Sequence, residues 1–303
     1  MRIVAALGGN TLLERGEGTI ADQRDRVRRA ADDLEALADQ GHDLVFTHGN
    51  GPQVGHLLLQ QEHAPGPDMP LDVLVAETQA QIGYLLQQEL DNRFDDRVLT
   101  VVTQVVVDAD DPAFDDPTKP VGPFYTEAEA GEKPFETREV KRGAGETAFR
   151  RVVPSPRPVE VVEAGHVRSL VDRGASVVCA GGGGVPVVAE DGALRGVEAV
   201  VDKDRTSRVL ADAIDADALL VLTDVPNASL DYGGPDERPI GEVDATTLCE
   251  YADRGEFEAG SMGPKVEACL AFVEGGGDLA VITSPEQAAE ALRGDAGTRV
   301  VPD

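Results

Sequence analysis

RIVAALGGN (2–10) joins an apolar run of strand length to two glycines and an asparagine. Nothing polar interrupts Ile3 to Leu7, so both faces of such a strand would be covered, as in a parallel sheet. The same grammar recurs in HDLVFTHGNG (42–51), ASVVCAGGGG (175–184), DALLVLTDV (217–225) and DLAVITS (278–284), and RVLTVVTQVVVD (97–108) has the same apolar character. Helical patterns separate these runs. Thr19 to Asp39 carries Val27, Ala31, Leu34 and Ala38 at three- and four-residue spacing, with Gly41 as a stop, and Glu77 to Leu90 places Ile82, Leu85, Leu86 and Leu90 on one side. Alternating strands and helices predict an α/β fold with a mainly parallel sheet.

The rhythm breaks between residues 108 and 151, which are rich in Pro, Gly and charge. This stretch holds Phe114, Phe124, Tyr125, Phe135 and Phe149, five of the chain's twelve aromatic residues. Disordered segments are aromatic-poor, so a small lobe over a cleft is the expectation.

With 303 residues, the chain can bury the core of one large α/β domain or of two lobes sharing a sheet. Its formal net charge of −29 disfavours nucleic acid, whose phosphates it would repel. A hydrophobic content of 41% argues against disorder. Dense Asp and Glu with scarce lysine predict a protein of a salt-rich cytosol, where concentrated ions screen the self-repulsion. Cys179, Cys249 and Cys269 are odd in number and lack metal-site spacing, so they read as small buried residues. There is no signal-peptide pattern and no membrane-spanning run, which predicts a cytoplasmic location.

In an open parallel sheet, ligands bind beyond the carboxyl ends of the strands. Gly8, Gly9 and Asn10 follow the first strand; Gly49, Asn50 and Gly51 follow the second. Each loop precedes a helical segment, so backbone N–H groups can converge on a phosphate or another anion. Neither loop is GxxxxGK[ST], and Gly181 to Gly184 do not form GxGxxG, which disfavours a dinucleotide site. The cations must come from elsewhere. Only five of the 27 basic residues are lysines. Lys119, Lys203 and Lys265 sit beside Gly or Pro or between carboxylates, whereas Lys133 and Lys141 read as surface residues. Around Lys203, strand alternation would put Asp202 and Asp204 on the face opposite the lysine unless the backbone bends there. The two carboxylates could hold the lysines or coordinate Mg²⁺.

With these pieces assembled, the chain resembles the carbamate kinases of the amino acid kinase superfamily over essentially its whole length. The resemblance rests on ALGGN (6–10), THGNGPQVG (47–55), TQVVVD (103–108), PTKPVGPF (117–124), VVPSPRP (152–158), AGGGGVPVV (180–188), GVEAVVDKD (196–204), DADALLVLTDV (215–225) and GSMGPKVEA (260–268). It implies an open three-layer αβα sandwich in one amino-acid-kinase-type domain. An N-terminal lobe, about residues 1–165, would hold the phosphoryl acceptor, and a C-terminal lobe, about 166–303, the nucleotide. A protruding subdomain, about 112–151, would close over the acceptor.

The implied reaction is reversible phosphoryl transfer between ATP and carbamate, giving ADP and carbamoyl phosphate, with Mg²⁺ bridging nucleotide phosphates. It would make ATP where arginine is fermented through the arginine deiminase pathway, and the protein would be a homodimer. On this reading Lys119, Lys203 and Lys265 surround the transferring group and Asp204 orients the lysine pair. Gly8, Gly9, Asn10, Gly49, Asn50 and Gly51 offer donors to the phosphoryl group. Thr223, Asp224 and Val225 face Met262, Gly263 and Lys265 across the nucleotide, although Met262 could equally fill a core gap. His48 reads as a structural hydrogen-bonding residue. Thr11 replaces the family's usual Ala, and Glu146, Thr147 and Ala148 stand where a Gly-Arg-Gly pattern is common. The alternatives are another amino acid kinase with a small carboxylate or phosphate acceptor, and a nonenzymatic nucleotide-binding sensor.

Overall fold

The computed structural model describes residues 1–12, 19–63, 66–142, 145–257 and 262–303, with the backbone alone at residues 10 and 11. The first half runs β1 (Arg2–Leu7), α1 (Gly9–Leu12), α2 (Ile20–Ala38), β2 (Asp43–His48), α3 (Gly51–His63), α4 (Leu71–Asp91), β3 (Val98–Thr100) and β4 (Gln104–Val107). Then come β5 (Lys119–Tyr125), α5 (Glu127–Gly131), β6 (Thr137–Arg142), β7 (Glu146–Val153) and β8 (Pro158–Val161). The second half runs α6 (Ala164–Val171), β9 (Ser176–Val178), β10 (Val185–Glu190), β11 (Ala193–Gly196), α7 (Lys203–Ala213) and β12 (Ala218–Leu222). It ends with β13 (Ser229–Leu230), β14 (Arg238–Pro239), β15 (Glu242–Asp244), α8 (Ala245–Asp253), α9 (Gly263–Glu274), β16 (Leu279–Thr283), α10 (Ala288–Arg293) and β17 (Thr298–Val301).

Eight strands form the central sheet in the order β15-β17-β16-β12-β1-β2-β9-β3. From β16 to β3 every pairing is parallel; β17 turns antiparallel to β16 and carries β15 with it. Side chains alternate between two cores. Val4, Leu219, Val221, Ala280 and Ile282 face the layer that includes α6, α7, α8 and α9. Ile3, Ala5, Leu7, Leu220 and Val281 face the layer of α2, α4 and α10. Both faces are buried, so the central strands read as continuous apolar runs. The result is a three-layer αβα sandwich.

Local signals explain the boundaries. Thr19 caps α2 through the Asp22 amide while Asp22 reaches back to Thr19, a reciprocal capping box. Val27, Ala31 and Leu34 are buried as their spacing predicts; Leu37 takes the core position expected of Ala38, which is half-buried. Helix α4 starts six residues ahead of the periodic stretch, directly after Pro70.

Three expectations change. The run 97–108 is two short strands in different sheets: β3 ends the large sheet, while β4 joins a four-stranded sheet ordered β11-β10-β4-β8. Phe114 packs against that second sheet's cluster of Val105, Val107, Val188 and Val201, not with the other aromatics. Phe124 is exposed. Lys203 does not lie on a strand: Asp202 is the N-cap of α7, accepting from the Asp204 and Arg205 amides at 3.0 and 3.4 Å, so Lys203 and Asp204 occupy the helix's first turn.

Strands β5, β7 and β6 make a separate antiparallel sheet over residues 119–153. Val121 and Val153 seat it on α3 and α4 through Val54, Leu58, Leu71, Leu74 and Val75. Tyr125 and Phe135 tilt together at 6.2 Å, and Tyr125 donates to Glu62 on α3. Among the described residues no helix is long and apolar enough to cross a membrane.

Gly83 of α4 approaches β3 so closely that a Cβ there would strike the Thr100 methyl, while the Thr100 hydroxyl donates to the Gly83 carbonyl at 2.9 Å. Gly→Ala inside a helix ordinarily stabilises by about 0.5–1 kcal/mol. Overpacking costs roughly 1–3 kcal/mol and should win here. Gly83→Ala is expected to lower the urea midpoint; a raised midpoint would show that β3 yields freely.

Candidate active site

The parallel ladder carries directly into the loops at its carboxyl edge. The Gly8 amide donates to Leu222 O at 3.0 Å, Gly49 to Leu7 O at 3.1 Å, and Thr223 to Thr283 O at 2.9 Å. The ends of β1, β2, β12 and β16 are thus stitched into one lip. A Cβ on Gly49 would lie 2.9 Å from both the Cα and N of Gly9. That distance is too short for any side chain, so the two glycine loops meet backbone to backbone. A cleft of about 470 Å³ opens above them.

Gly8, Gly9, Gly49, Asn50, Gly51, Thr223 and Asp224 line this cleft, as do Lys119, Lys203, Lys265 and Asp204. The Asn10 side chain lies outside the described residues, as do Gly260 and Ser261 of the GSMGPK stretch. Val225 and Gly263 are half-buried and do not line the cleft. Met262 packs against the core beside α9, which is the gap-filling alternative. Gly182, Phe124 and Arg150 join the lining without having been singled out for it. Gly182 and Phe124 fall inside motifs already quoted. Arg150 donates through Nε and Nη2 to Gly122 O at 3.0 and 2.8 Å and lies 5.1 Å from the Phe124 ring. It pins the turn at Gly122, where φ is +73°. His56 also lines the cleft, and no sequence signal distinguished it.

The charges are arranged around one carboxylate. Asp204 is 3% exposed; its Oδ1 accepts from Lys203 Nζ and its Oδ2 from Lys265 Nζ at 2.9 Å. Lys203 also reaches Ala6 O on β1 at 3.4 Å. Lys119, from β5, pairs instead with Asp202 Oδ2 at 3.4 Å, using the carboxylate whose other oxygen caps α7. The lysines therefore come from three separate elements and converge on the first turn of α7.

Burial would raise the Asp204 carboxyl, but the two ammonium groups override it and hold it at about 2. Burial lowers Lys203 below the ordinary lysine value, helped by repulsion from Lys265. Lys265 is also penalised by burial, yet Asp204 outweighs this and raises it. His48 is completely buried; desolvation takes it down to about 4, so it is neutral at pH 7. Its Nδ1 bonds to Gly49 O at 3.0 Å, as a structural histidine would, while Nε2 has no partner among the described residues. Two cations on one buried anion leave a surplus positive charge in the cleft, suited to an anionic ligand. Among the described residues, no group of three or more His, Cys, Asp or Glu side chains gathers to hold a metal ion.

The amino acid kinase family matches residues 1–284. The chain is 56% identical to a carbamate kinase of Halobacterium salinarum, covering 99% of this chain and 98% of that protein. It is 46% identical to a carbamate kinase of Pyrococcus furiosus, covering 99% of each. Among solved structures, it matches the Giardia lamblia carbamate kinase bound to AMP-PNP with a TM-score of 0.91 and 41% identity, covering 100% of this chain and 98% of that one.

Removing the shared carboxylate should be severe, because it strands two buried cations. Asp204→Asn is expected to cost roughly 3–5 kcal/mol of stability at neutral pH. The folded carboxyl lies below its ordinary 3.8, so its contribution is complete above about pH 4 and fades as pH falls toward about 2. Urea titrations of both proteins at pH 7, 4 and 3 should show the gap narrowing with acid. A gap that stays constant would contradict the pairing.

Proposed function

The chain belongs to the carbamate kinases of the amino acid kinase family, a phosphotransferase family, and on that premise we propose that it moves a phosphoryl group reversibly between ATP and carbamate. The observation that carries this reading is the pair of ammonium groups held on one buried carboxylate, opposite two glycine loops in backbone contact. In the ATP-forming direction, a β-phosphate oxygen of ADP attacks the phosphorus of carbamoyl phosphate. The bond from phosphorus to the carbamate oxygen breaks, and carbamate leaves with that electron pair. Its oxygen is stable as an anion, so no general acid is required, and in reverse no general base. A neutral, buried His48 agrees with this.

Charge in such a transition state spreads over the three equatorial phosphoryl oxygens, and fixed cations and amides supply most of the stabilisation. Lys119, Lys203 and Lys265 are assigned to that charge, with Asp204 as the group that orients the last two. Amides of Gly8, Gly9, Asn10, Gly49, Asn50 and Gly51 face the transferred group. Lys203 carries a compact point charge that can follow phosphorus between donor and acceptor, whereas an arginine fork favours one geometry. Thr223 and Asp224, with Lys265 opposite, are assigned to the nucleotide; Val225, Met262 and Gly263 would flank it from outside the cleft wall. The acceptor side is assigned to residues 1–165, the nucleotide side to 166–303, and closure to residues 112–151.

The kinase chemistry implies a divalent cation with the nucleotide, and Mg²⁺ is the proposed ion. The cleft's Asp202 and Asp204 are committed to lysines, so phosphate oxygens and water would hold it, as Mg²⁺ often prefers. When bound, it neutralises phosphate charge. We assign the protein to a salt-rich cytoplasm, as a homodimer forming ATP during arginine breakdown. The −29 net charge supports the salt assignment, since the Debye length falls to about 3 Å at 1 M.

The test is ATP formation from ADP and carbamoyl phosphate with Mg²⁺, titrated from low to molar KCl. Turnover that rises with salt is expected. Turnover indifferent to salt would keep the reaction and remove the salt assignment; no turnover in a folded, ADP-binding protein would overturn the reaction. Lys203→Arg should lower kcat by about 10²–10³ while ADP still binds. Near-normal kcat would remove Lys203 from its assigned role.

A further inference from the structure

Thr103 sits where the run 97–108 breaks between the two sheets, and it is completely buried. Its amide donates to Gln79 Oε1 at 2.6 Å and its hydroxyl to the same oxygen at 3.0 Å; its carbonyl accepts from Gln79 Nε2 at 3.3 Å and from the Val185 amide at 2.9 Å. Gln79, on α4, is itself 1% exposed. This network holds one further group. The Thr103 hydroxyl accepts from the Ala180 amide at 2.8 Å.

Ala180 stands at φ 49°, ψ 33°, a left-handed conformation that a residue with a Cβ adopts reluctantly. It begins the tight turn through Gly181, Gly182 and Gly183. That turn is a wedge between the two sides of the cleft. A Cβ on Gly182 would collide with the Asn50 amide, and one on Gly181 with His48. On the opposite side, the Gly183 carbonyl accepts from Thr206 Oγ1 at 3.0 Å, on the helix whose first turn bears Lys203 and Asp204. Asn50 is braced in turn by Thr78, the neighbour of Gln79, at 3.0 Å. One turn of α4 therefore supports both Asn50 and the wedge.

We propose that the Thr103 hydroxyl is a positioning group for phosphoryl transfer: by anchoring Ala180 it fixes the glycine turn that sets the spacing between the Asn50 loop and the Lys203–Asp204 end of α7. It acts through the turn and touches no substrate. Its kinetic readout rests on the reaction proposed above. Thr103→Val keeps the shape of the side chain and loses the anchor.

The full chain would be assayed with ADP, carbamoyl phosphate and Mg²⁺, alongside amide hydrogen exchange. Thr103→Val should lower kcat by about 10- to 100-fold, the scale of a 1 Å misplacement, with KM for ADP changed less than about threefold. Exchange over residues 180–184 should quicken about tenfold or more while β1 and β12 keep their protection. Thr103→Ser, which retains the hydroxyl, should keep kcat and exchange within about twofold of the parent. Adding Ala180→Gly to Thr103→Val should recover kcat, because glycine holds the left-handed turn without an anchor. A folded Thr103→Val with parental kcat and parental exchange at 180–184 overturns the proposal. So does a tenfold loss in Thr103→Ser, which decides the matter if the valine variant does not fold. If the parent protein itself shows no turnover, the reaction has failed, while the exchange contrast still tests the anchor.

Discussion

A single carboxylate, Asp204, lies buried between the ammonium groups of Lys203 and Lys265. Bringing three charges out of water is costly, and one anion cannot neutralise two cations. The fold tolerates the cluster because the first turn of α7 presents Asp204, the α9 terminus brings Lys265 to its second oxygen, and the β1 carbonyl of Ala6 accepts a hydrogen bond from Lys203. The unbalanced positive charge is what an anionic ligand would complete. In the proposed reaction, the same preorganised cations stabilise the charge of the transferring phosphoryl group.

The surroundings answer two demands on that cluster. Parallel strands end together, so one lip collects loops that are far apart in sequence; Gly9 and Gly49 can then touch because neither carries a side chain. The helix cap at Asp202 does double duty, with one oxygen closing α7 and the other meeting Lys119 from the three-stranded sheet. The net charge of −29 and the cationic cleft are compatible, since the excess acid is spread over the surface while Lys203 and Lys265 are enclosed.

Much of this was legible in the chain. The central strands announced themselves because burial on both faces removes polar alternation, and α2 was bounded by Thr19 and Gly41, whose side-chain chemistry and positive φ act locally. Lysine scarcity singled out the three cations now found around one cleft. What was not legible has two causes: a local helix cap masked by the apolar run before it, and partners distant in sequence. Val200 to Asp204 looks like a strand end, yet the Asp202 carboxylate caps the amides two and three residues further on, a local signal that the preceding apolar run obscured. Residues 97–108 look like one strand, yet Gln79 and Ala180 draw Thr103 out of the ladder and divide it between sheets. Met262 has a side chain suited to a nucleotide or a core, and in the fold it is half-buried and packs against the core beside α9. Arg150 lines the cleft through a carbonyl in a turn that spacing could not locate.

The central claim is that Lys203 and Lys265 act as one unit through Asp204. A double-mutant cycle on kcat/KM, using Lys203→Met, Lys265→Met and the combined variant, measures this directly. A shared carboxylate predicts that the combined loss falls well short of the product of the single losses, by an interaction energy of about 1 kcal/mol or more. Losses that simply multiply would mean that the two residues act independently, and that the carboxylate is not the keystone of the site.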